Sequence, residues 1–177
     1  TRHVVGVKGS GGDTARMTGY GVYQSLKAAW KFRSGRDSLK GVRVAIQGVG
    51  GVGSYVLQHL LAEGADLSIA DIDPGSINKA KASGPVKVLD PESILQAEVD
   101  ILAPCAMGAS LTPKTIPAIR ADIIVGGANN QLAREEDAVL LQEQGILFVP
   151  DFVANSGGAI QGTSQIKGKT EEEILAQ

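Results

Sequence analysis

The stretch VRVAIQGVGGVGSYVLQHLLAEGADLSIAD, from Val42 to Asp71, decides the fold. An apolar run from Val42 to Ile46 opens into Gly48-Val49-Gly50-Gly51-Val52-Gly53. A helical pattern follows, with Val52, Val56, Leu57, Leu60 and Leu61 on one face, and Gly64 stops it. A second apolar run, Leu67 to Ala70, ends on Asp71. Strand, glycine turn, helix, strand and terminal carboxylate together make the dinucleotide-binding βαβ unit. A lone G-x-G-x-x-G is weak evidence. Here every flanking part stands where the chemistry requires it.

Each part has a physical task. Gly48 allows the tight turn out of the strand, Gly50 lets the backbone approach a pyrophosphate, and Gly53 lets the helix pack close to the strand. Val49, Gly51 and Val52 complete the turn, and the helix N-terminus offers free N–H groups and the positive end of its dipole. Asp71 can accept hydrogen bonds from both hydroxyls of an adenosine ribose, and its charge repels a 2′-phosphate. The expected cofactor is therefore NAD, with Ile72 beside Asp71 in its site. The alternative is a structural glycine turn that binds nothing. The acid, near the usual spacing of about 20 residues, argues against it.

The chain has 177 residues, enough for one domain with a real core. Its net charge of −2 disfavours nucleic acid and membrane surfaces as partners. The single cysteine, Cys105, rules out an internal disulfide framework and suits a reducing, cytoplasmic setting. No apolar run reaches transmembrane length and no signal peptide opens the chain. The start at Thr1, without methionine, suggests a piece trimmed from something longer.

The order of the remaining segments fits one architecture. Residues 1–17 read as an irregular segment containing the loop Gly9–Asp13. A helix is expected from Thr18, as N-cap, to Arg33, with Val22, Leu26, Ala29 and Trp30 on one face and Gly35 as its stop. After Asp71, Asp73-Pro74 opens a short helix with Ile77 and Ala80 facing inward, ended by Gly84-Pro85. Strands are expected at 86–89, 99–103, 123–125 and 146–149. Short helices are expected from Asp90-Pro91, from Thr112-Pro113 to Ile119, and from Arg134 to Gln144, with a last one after Asn155-Ser156-Gly157-Gly158. Short apolar strands alternating with helices predict an α/β fold, a doubly wound parallel sheet of the Rossmann type. Six strands with helices on both faces suggest the order 3-2-1-4-5-6. The domain is expected over 18–166, with a polar tail over 167–177.

Ligands of such sheets sit outside the carboxyl ends of the strands. Those ends carry Cys105-Ala106-Met107-Gly108, Gly127-Ala128-Asn129-Asn130, and Pro150-Asp151 with Asn155 further on. These are small residues and amides, with no acid–base pair and no metal-ligand cluster. Small residues admit a flat ring, and amides can bond a carboxamide or an amine. Cys105 lacks a neighbouring histidine and reads as a buried strand-end thiol rather than a nucleophile. Asn129-Asn130 reads as functional, with a simple turn as the alternative. Asp151 reads as a cap or buried acceptor, His59 as a partly exposed neutral side chain, and Glu171–Glu173 as a solvated helix face.

These motifs resemble the glutamate/leucine/phenylalanine/valine dehydrogenases. Thr18-Gly19-Tyr20-Gly21-Val22 is similar to their Thr-Ala-x-Gly-Val, and Gln47 to Gly53 to their glycine turn. Pro104 to Gly108 is similar to their Pro-Cys-Ala-Leu-Gly. Gly127 to Asn130, and Val149-Pro150-Asp151 with Asn155 to Gly158, match two more motifs in order. The short, insertion-poor form looks more like the leucine, phenylalanine, valine and tryptophan branch. The resemblance implies that Thr18 and Asn155 hold the nicotinamide carboxamide, and that Cys105, Ala106 and Met107 line the nicotinamide ribose. It implies that Asn129, with Asn130, sits between nicotinamide and substrate, and that Val153 touches the substrate side chain.

Two local departures are Thr14-Ala15-Arg16 in place of a proline-containing loop, and Gly19 in place of alanine. The larger one is an absence: the family's catalytic lysines and aspartate belong to an N-terminal domain that precedes Thr1, and its C-terminal helices stop short at Gln177. The expected function is thus NAD binding within a dehydrogenase that converts an apolar or aromatic L-amino acid to a 2-oxo acid and ammonia. No catalytic residue and no metal site are expected in this chain, and the full-length protein is expected to be a homo-oligomer. The competing reading is a free-standing NAD-binding or sensing module. A Rossmann dehydrogenase of another substrate class would need an acid–base pair that these residues lack.

Overall fold

The computed structural model describes residues 13–167 and 173. Six parallel strands form one sheet in the order β3-β2-β1-β4-β5-β6, as the sequence predicts. They are β1 (Arg43–Gln47), β2 (Asp66–Ala70), β3 (Lys87–Val88), β4 (Ile101–Pro104), β5 (Ile123–Ile124) and β6 (Leu147–Phe148). The helices are α1 (Thr14–Ser34), α2 (Gly51–Glu63), α3 (Pro74–Ser83), α4 (Ala138–Glu143), α5 (Asp151–Ala154) and α6 (Gly157–Ile166). Among the described residues, no helix is long and apolar enough to cross a membrane.

Side chains alternate across each strand, so one apolar run feeds two cores. Val44 and Ile46 of β1, Ile101 and Ala103 of β4, and Ile123 of β5 pack with Val22, Leu26, Val56 and Leu60 of α1 and α2. Ala45, Leu102 and Ile124 point the other way, toward Ile94, Ile116 and Leu141. Burial on both faces explains why these strands are continuously apolar rather than alternating.

The two layers differ in kind. Full α-helices cover the first face, whereas α4 and two 3-10 turns, Ile94–Gln96 and Ile116–Ala118, cover much of the second. The sequence predicted short α-helices there. In the segment after Thr112, Pro113 and Pro117 each remove a backbone donor. Thr112 and Thr115 then bond each other's backbone N–H through their hydroxyls, at 2.9 and 3.1 Å, in competition with a helical ladder. The segment after Asp90 is too short to recover the cost of α-helix nucleation. The predicted helix from Arg134 divides into a 3-10 turn, Glu135–Asp137, and α4.

Helix α1 also departs from expectation. It starts at Thr14 and is capped by Asp13, whose carboxylate accepts from the Ala15 N–H at 3.0 Å, so Thr18 is not its N-cap. Thr18 lies one turn inside, with its hydroxyl donating to Thr14 O at 2.8 Å. Residues 14–17 are accordingly helical, while the loop Gly9–Gly12, the tail beyond Lys167 and His3 lie outside the described residues, Glu173 apart. The other end is as expected, with Gly35 in the left-handed region at φ 72°.

Helix α1 packs on α2 closely. A Cβ on Gly19 would lie 2.5 Å from Tyr55 Cβ, which accounts for glycine where the resembling family has alanine. His59 stacks on Tyr23 with ring centroids 4.8 Å apart. The Tyr23 hydroxyl and the Lys27 ammonium both donate to Glu63 Oε1, the latter at 2.6 Å. The Lys27 hydrogen bond, and then that of Tyr23, hold the Glu63 carboxyl below its ordinary value. A depressed folded value stabilises the fold above the unfolded value, and the gain is lost as pH falls through the folded one. Glu63→Gln should therefore cost about 0.5–1 kcal/mol at neutral pH. The difference from wild type should shrink as the pH is lowered below the ordinary value of 4.5, measured by urea unfolding across pH.

Candidate functional site

The glycine turn shows a separate reason for each glycine. Gly48 has φ +88°, in the left-handed region, and its N–H donates to Ala70 O at 2.7 Å. A Cβ at Gly53 would fall 2.0 Å from Gly48 O, so α2 approaches β1 closer than any side chain allows. Beside Gly50 a Cβ would meet nothing within 4 Å. Gly50 is also the N-cap of α2 and supplies no side-chain hydrogen bond, leaving the helix donors to an external acceptor. An anion fits this position by geometry and by charge. A cavity of about 450 Å³ adjoins it, lined by Gly50, Gly51 and Ser54 on the α2 side and Ser76 and Lys79 of α3.

Asp71 stands at the end of β2, next to this turn. Its Oδ2 accepts from the Val49 N–H at 2.8 Å and its Oδ1 from the Asp73 N–H at 2.9 Å. Each carboxylate oxygen has a second lone pair for a ligand hydroxyl. Asp71 thus braces the glycine turn as well as facing the site, a role that sequence spacing does not reveal. Ile72, beside it, is 88% exposed.

On the α1 side of the glycine turn, residues far apart in the chain meet around one cavity of about 610 Å³. Thr18 comes from α1, Val52 from α2, Gly127 and Asn129 from the loop after β5, and Asn155 from the turn before α6. Asn155 Nδ2 donates to Asn129 Oδ1 at 2.6 Å, so the two amides orient each other. That pairing leaves Asn155 with an acceptor and Asn129 with donors to offer a ligand. The fifth wall is α6, with Gly158 and Gly162, which sequence reasoning did not assign to the site. A Cβ on Gly158 would lie 2.5 Å from Thr18 Oγ1, so the small residue sets how closely α6 meets α1.

Asn130, Val153, Ala106 and Met107, all predicted site residues, lie outside that cavity. Asn130 turns away from Asn129: its backbone is left-handed at φ 50° and its N–H donates to Asp151 Oδ2 at 2.8 Å. It lines a separate cavity with Arg134, Phe148 and Phe152. Asp151 therefore acts as an acceptor that secures the loop. Val153, on α5, is 52% exposed and outside the cavity shared by Thr18 and Asn155. Ala106 packs under Gly48, and Met107 is 85% exposed at the end of β4.

Among the described residues, no histidine or cation stands beside Cys105 to activate it. Burial pushes its thiol up to about 11, against a weak opposing hydrogen bond from the Gly127 N–H at 3.4 Å. His59 is in the α1–α2 seam, its pKa lowered by burial first and the Arg16 charge second. Among the described residues, no cluster of histidine, cysteine and carboxylates is placed to hold a metal. At pH 8 the Cys105 thiol should be less than about 1% ionised. Iodoacetamide should therefore leave the native chain unlabelled for hours and label it readily in denaturant, followed by mass spectrometry.

A family model described as Glutamate/Leucine/Phenylalanine/Valine dehydrogenase matches residues 9–77 and 67–170. The leucine dehydrogenase of Bacillus cereus is 40% identical over 94% of this chain and 46% of its own length. The L-tryptophan dehydrogenase of Nostoc punctiforme is 40% identical over 100% of this chain and 50% of its own. The crystal structure of that L-tryptophan dehydrogenase superposes with a TM-score of 0.90, at 38% identity, over 93% of this chain and 51% of that one. The hetero-hexameric glutamate dehydrogenase of Thermus thermophilus superposes with a TM-score of 0.74, at 27% identity, over 92% of this chain and 43% of that one. The chain spans about half the length of the relatives it matches. With one family model running through strand, glycine turn and both cavities, the chain belongs to the glutamate/leucine/phenylalanine/valine dehydrogenase family.

Proposed function

We propose that this chain is the NAD-binding half of an L-amino-acid dehydrogenase acting on an apolar or aromatic substrate. The observation that carries the proposal is the pair of unlike sites that flank the glycine turn, Gly51 lining one and Val52 the other. One suits an anion and a diol: the uncapped start of α2, the open side of Gly50 and the carboxylate of Asp71. The other suits a flat carboxamide: a small-walled cavity with Thr18, Asn129 and Asn155 converging on it. A dinucleotide has those chemistries in that order. The leucine and tryptophan dehydrogenases among the relatives support the substrate class.

When bound, the nicotinamide supplies the hydride chemistry. The chain's own residues bind and orient. The α2 donors and dipole hold the pyrophosphate, and Asp71 holds the adenosine ribose while its charge repels a 2′-phosphate. Asn155 and Thr18 would hold the carboxamide and so orient the ring. Val52 and Gly127 line the cavity and would keep water from that ring. Asn129 offers its amide to the substrate side. Deaminating an amino acid also needs a general base and a cation to polarise the developing carbinolamine. The residues that line this cavity include neither. Those groups are assigned to the N-terminal half of the whole protein.

Two outcomes follow. Calorimetric titration should show NADH binding at least about tenfold tighter than NADPH, with the preference shrinking in Asp71→Ala. Equal binding of both by the wild type would sink the proposal for Asp71. Assays with leucine, phenylalanine, valine and tryptophan should detect no turnover by this chain alone. Robust deamination by it would show that the acid–base groups lie within these residues.

A further inference from the structure

Gln131 follows Asn129-Asn130 and is 0% exposed. An enclosed amide costs free energy unless its hydrogen bonds are made. Its Nε2 donates to Gly126 O at 2.9 Å and to Ala128 O at 3.1 Å. Both partners are acceptors, so the NH2 end must face them and a flipped amide is ruled out. Its Oε1 meets no donor among the described residues. The side chain is thus held in the interior for its two donors, at the cost of an unused acceptor.

The two carbonyls it grips bracket Gly127, one of the cavity walls. Both glycines of this loop sit where a side chain would meet a neighbour. A Cβ on Gly126 would lie 2.0 Å from Pro104 O, and one on Gly127 would lie 2.6 Å from Val52 Cγ1. Close approach therefore forces two consecutive glycines into the segment that must hold Asn129 still. Glycine pairs are the most freely rotating backbone available. Rigidity has to come from outside the segment. Asp151 secures it beyond Asn129, through the Asn130 N–H, and Pro104 O accepts the Ala128 N–H at 3.0 Å. The Gly127 N–H donates to Cys105 Sγ at 3.4 Å and its carbonyl accepts from Asn155 Nδ2 at 3.5 Å, while Gln131 is the side chain that ties together the two flanking carbonyls, Gly126 and Ala128.

We propose that Gln131 is a positioning residue for the nicotinamide end of the site, a side-chain clamp that sets the Gly126–Ala128 backbone and so aims Asn129. It does not line the cavity it shapes. The proposal rests on reading that cavity as the nicotinamide end. Its consequence is selective. Losing the clamp should loosen the Gly127, Asn129 and Asn155 end and leave the glycine turn and Asp71 as they are, because those are held by Gly48, Gly53 and Val49.

NADH and ADP-ribose, which lacks the nicotinamide, separate the two ends. Both should be titrated calorimetrically into the 177-residue chain and into Gln131→Met and Gln131→Glu, with thermal unfolding recorded for each. In Gln131→Met, which keeps the volume and loses the donors, NADH affinity should fall about tenfold while ADP-ribose affinity stays within about twofold. Gln131→Glu restores one donor only when protonated, and burial raises its pKa. Its NADH affinity relative to ADP-ribose should therefore recover as the buffer is taken from about pH 8 to about pH 6, against a flat wild-type ratio. Parallel losses for both ligands, unchanged NADH binding in Gln131→Met, or a flat ratio in Gln131→Glu would each overturn the clamp. So would the failure of both variants to fold, since Gln131 would then hold the whole domain. If wild-type NADH binds no tighter than ADP-ribose, the reading of the cavity fails instead.

Discussion

The start of α2 lies so close to the end of β1 that a Cβ on Gly53 would stand 2.0 Å from the Gly48 carbonyl oxygen. The rest of the site depends on that approach. It brings the helix donors and the positive end of the dipole to the carboxyl edge of the sheet. It requires Gly48 to turn in the left-handed region, with Ala106 from the end of β4 directly beneath. It also places the Val49 N–H where Asp71 can hold it. One close contact therefore fixes the relation between the first two strands, the first crossover helix and the neighbouring strand end.

The second end of the site meets the same demand in a different way. Gly126, Gly127, Gly157 and Gly158 each sit where a Cβ would meet a neighbour at under 3.0 Å. Small residues bring β4, β5, α1 and α6 together, and the cavity lies among them. Closeness bought with glycine leaves a flexible backbone. Stiffness then comes from polar side chains: Asp151 on the Asn130 N–H, Asn155 on Asn129, and Gln131 on two carbonyls. The amides and acids of this region serve partly as structure, which explains their number at strand ends that carry no acid–base pair.

The strand order, the stops at Gly35 and Gly64 and the cap at Asp73 were legible because each depends on a local rule: apolar runs, left-handed glycines and a short polar side chain before Pro74. The early start of α1 was not, because Asp13 and Thr18 are both acceptable caps in isolation. The helix extends to Asp13 where its carboxylate also accepts the Tyr55 hydroxyl from α2, at 2.8 Å. The 3-10 turns on the second face were missed for a similar reason. Thr112 and Pro113 do open a turn, but Pro117 and the paired threonine hydroxyls prevent it from propagating.

The sequence by itself determined the βαβ unit, the parallel sheet and the set of small and amide residues at its carboxyl edge. Those follow from periodicity and from glycine spacing, which act over a few residues. Only the tertiary structure decided which of those residues meet. It joined Thr18, Val52, Asn129 and Asn155, added α6 to the wall, and turned Asn130 away from its neighbour. Adjacent residues in a turn point in directions set by backbone torsions. Residues more than a hundred positions apart meet only because helices pack at distances that their smallest side chains allow. That information is held in the contacts between elements, where Gly158 meets Thr18 and Gly127 meets Val52, and no local pattern records it.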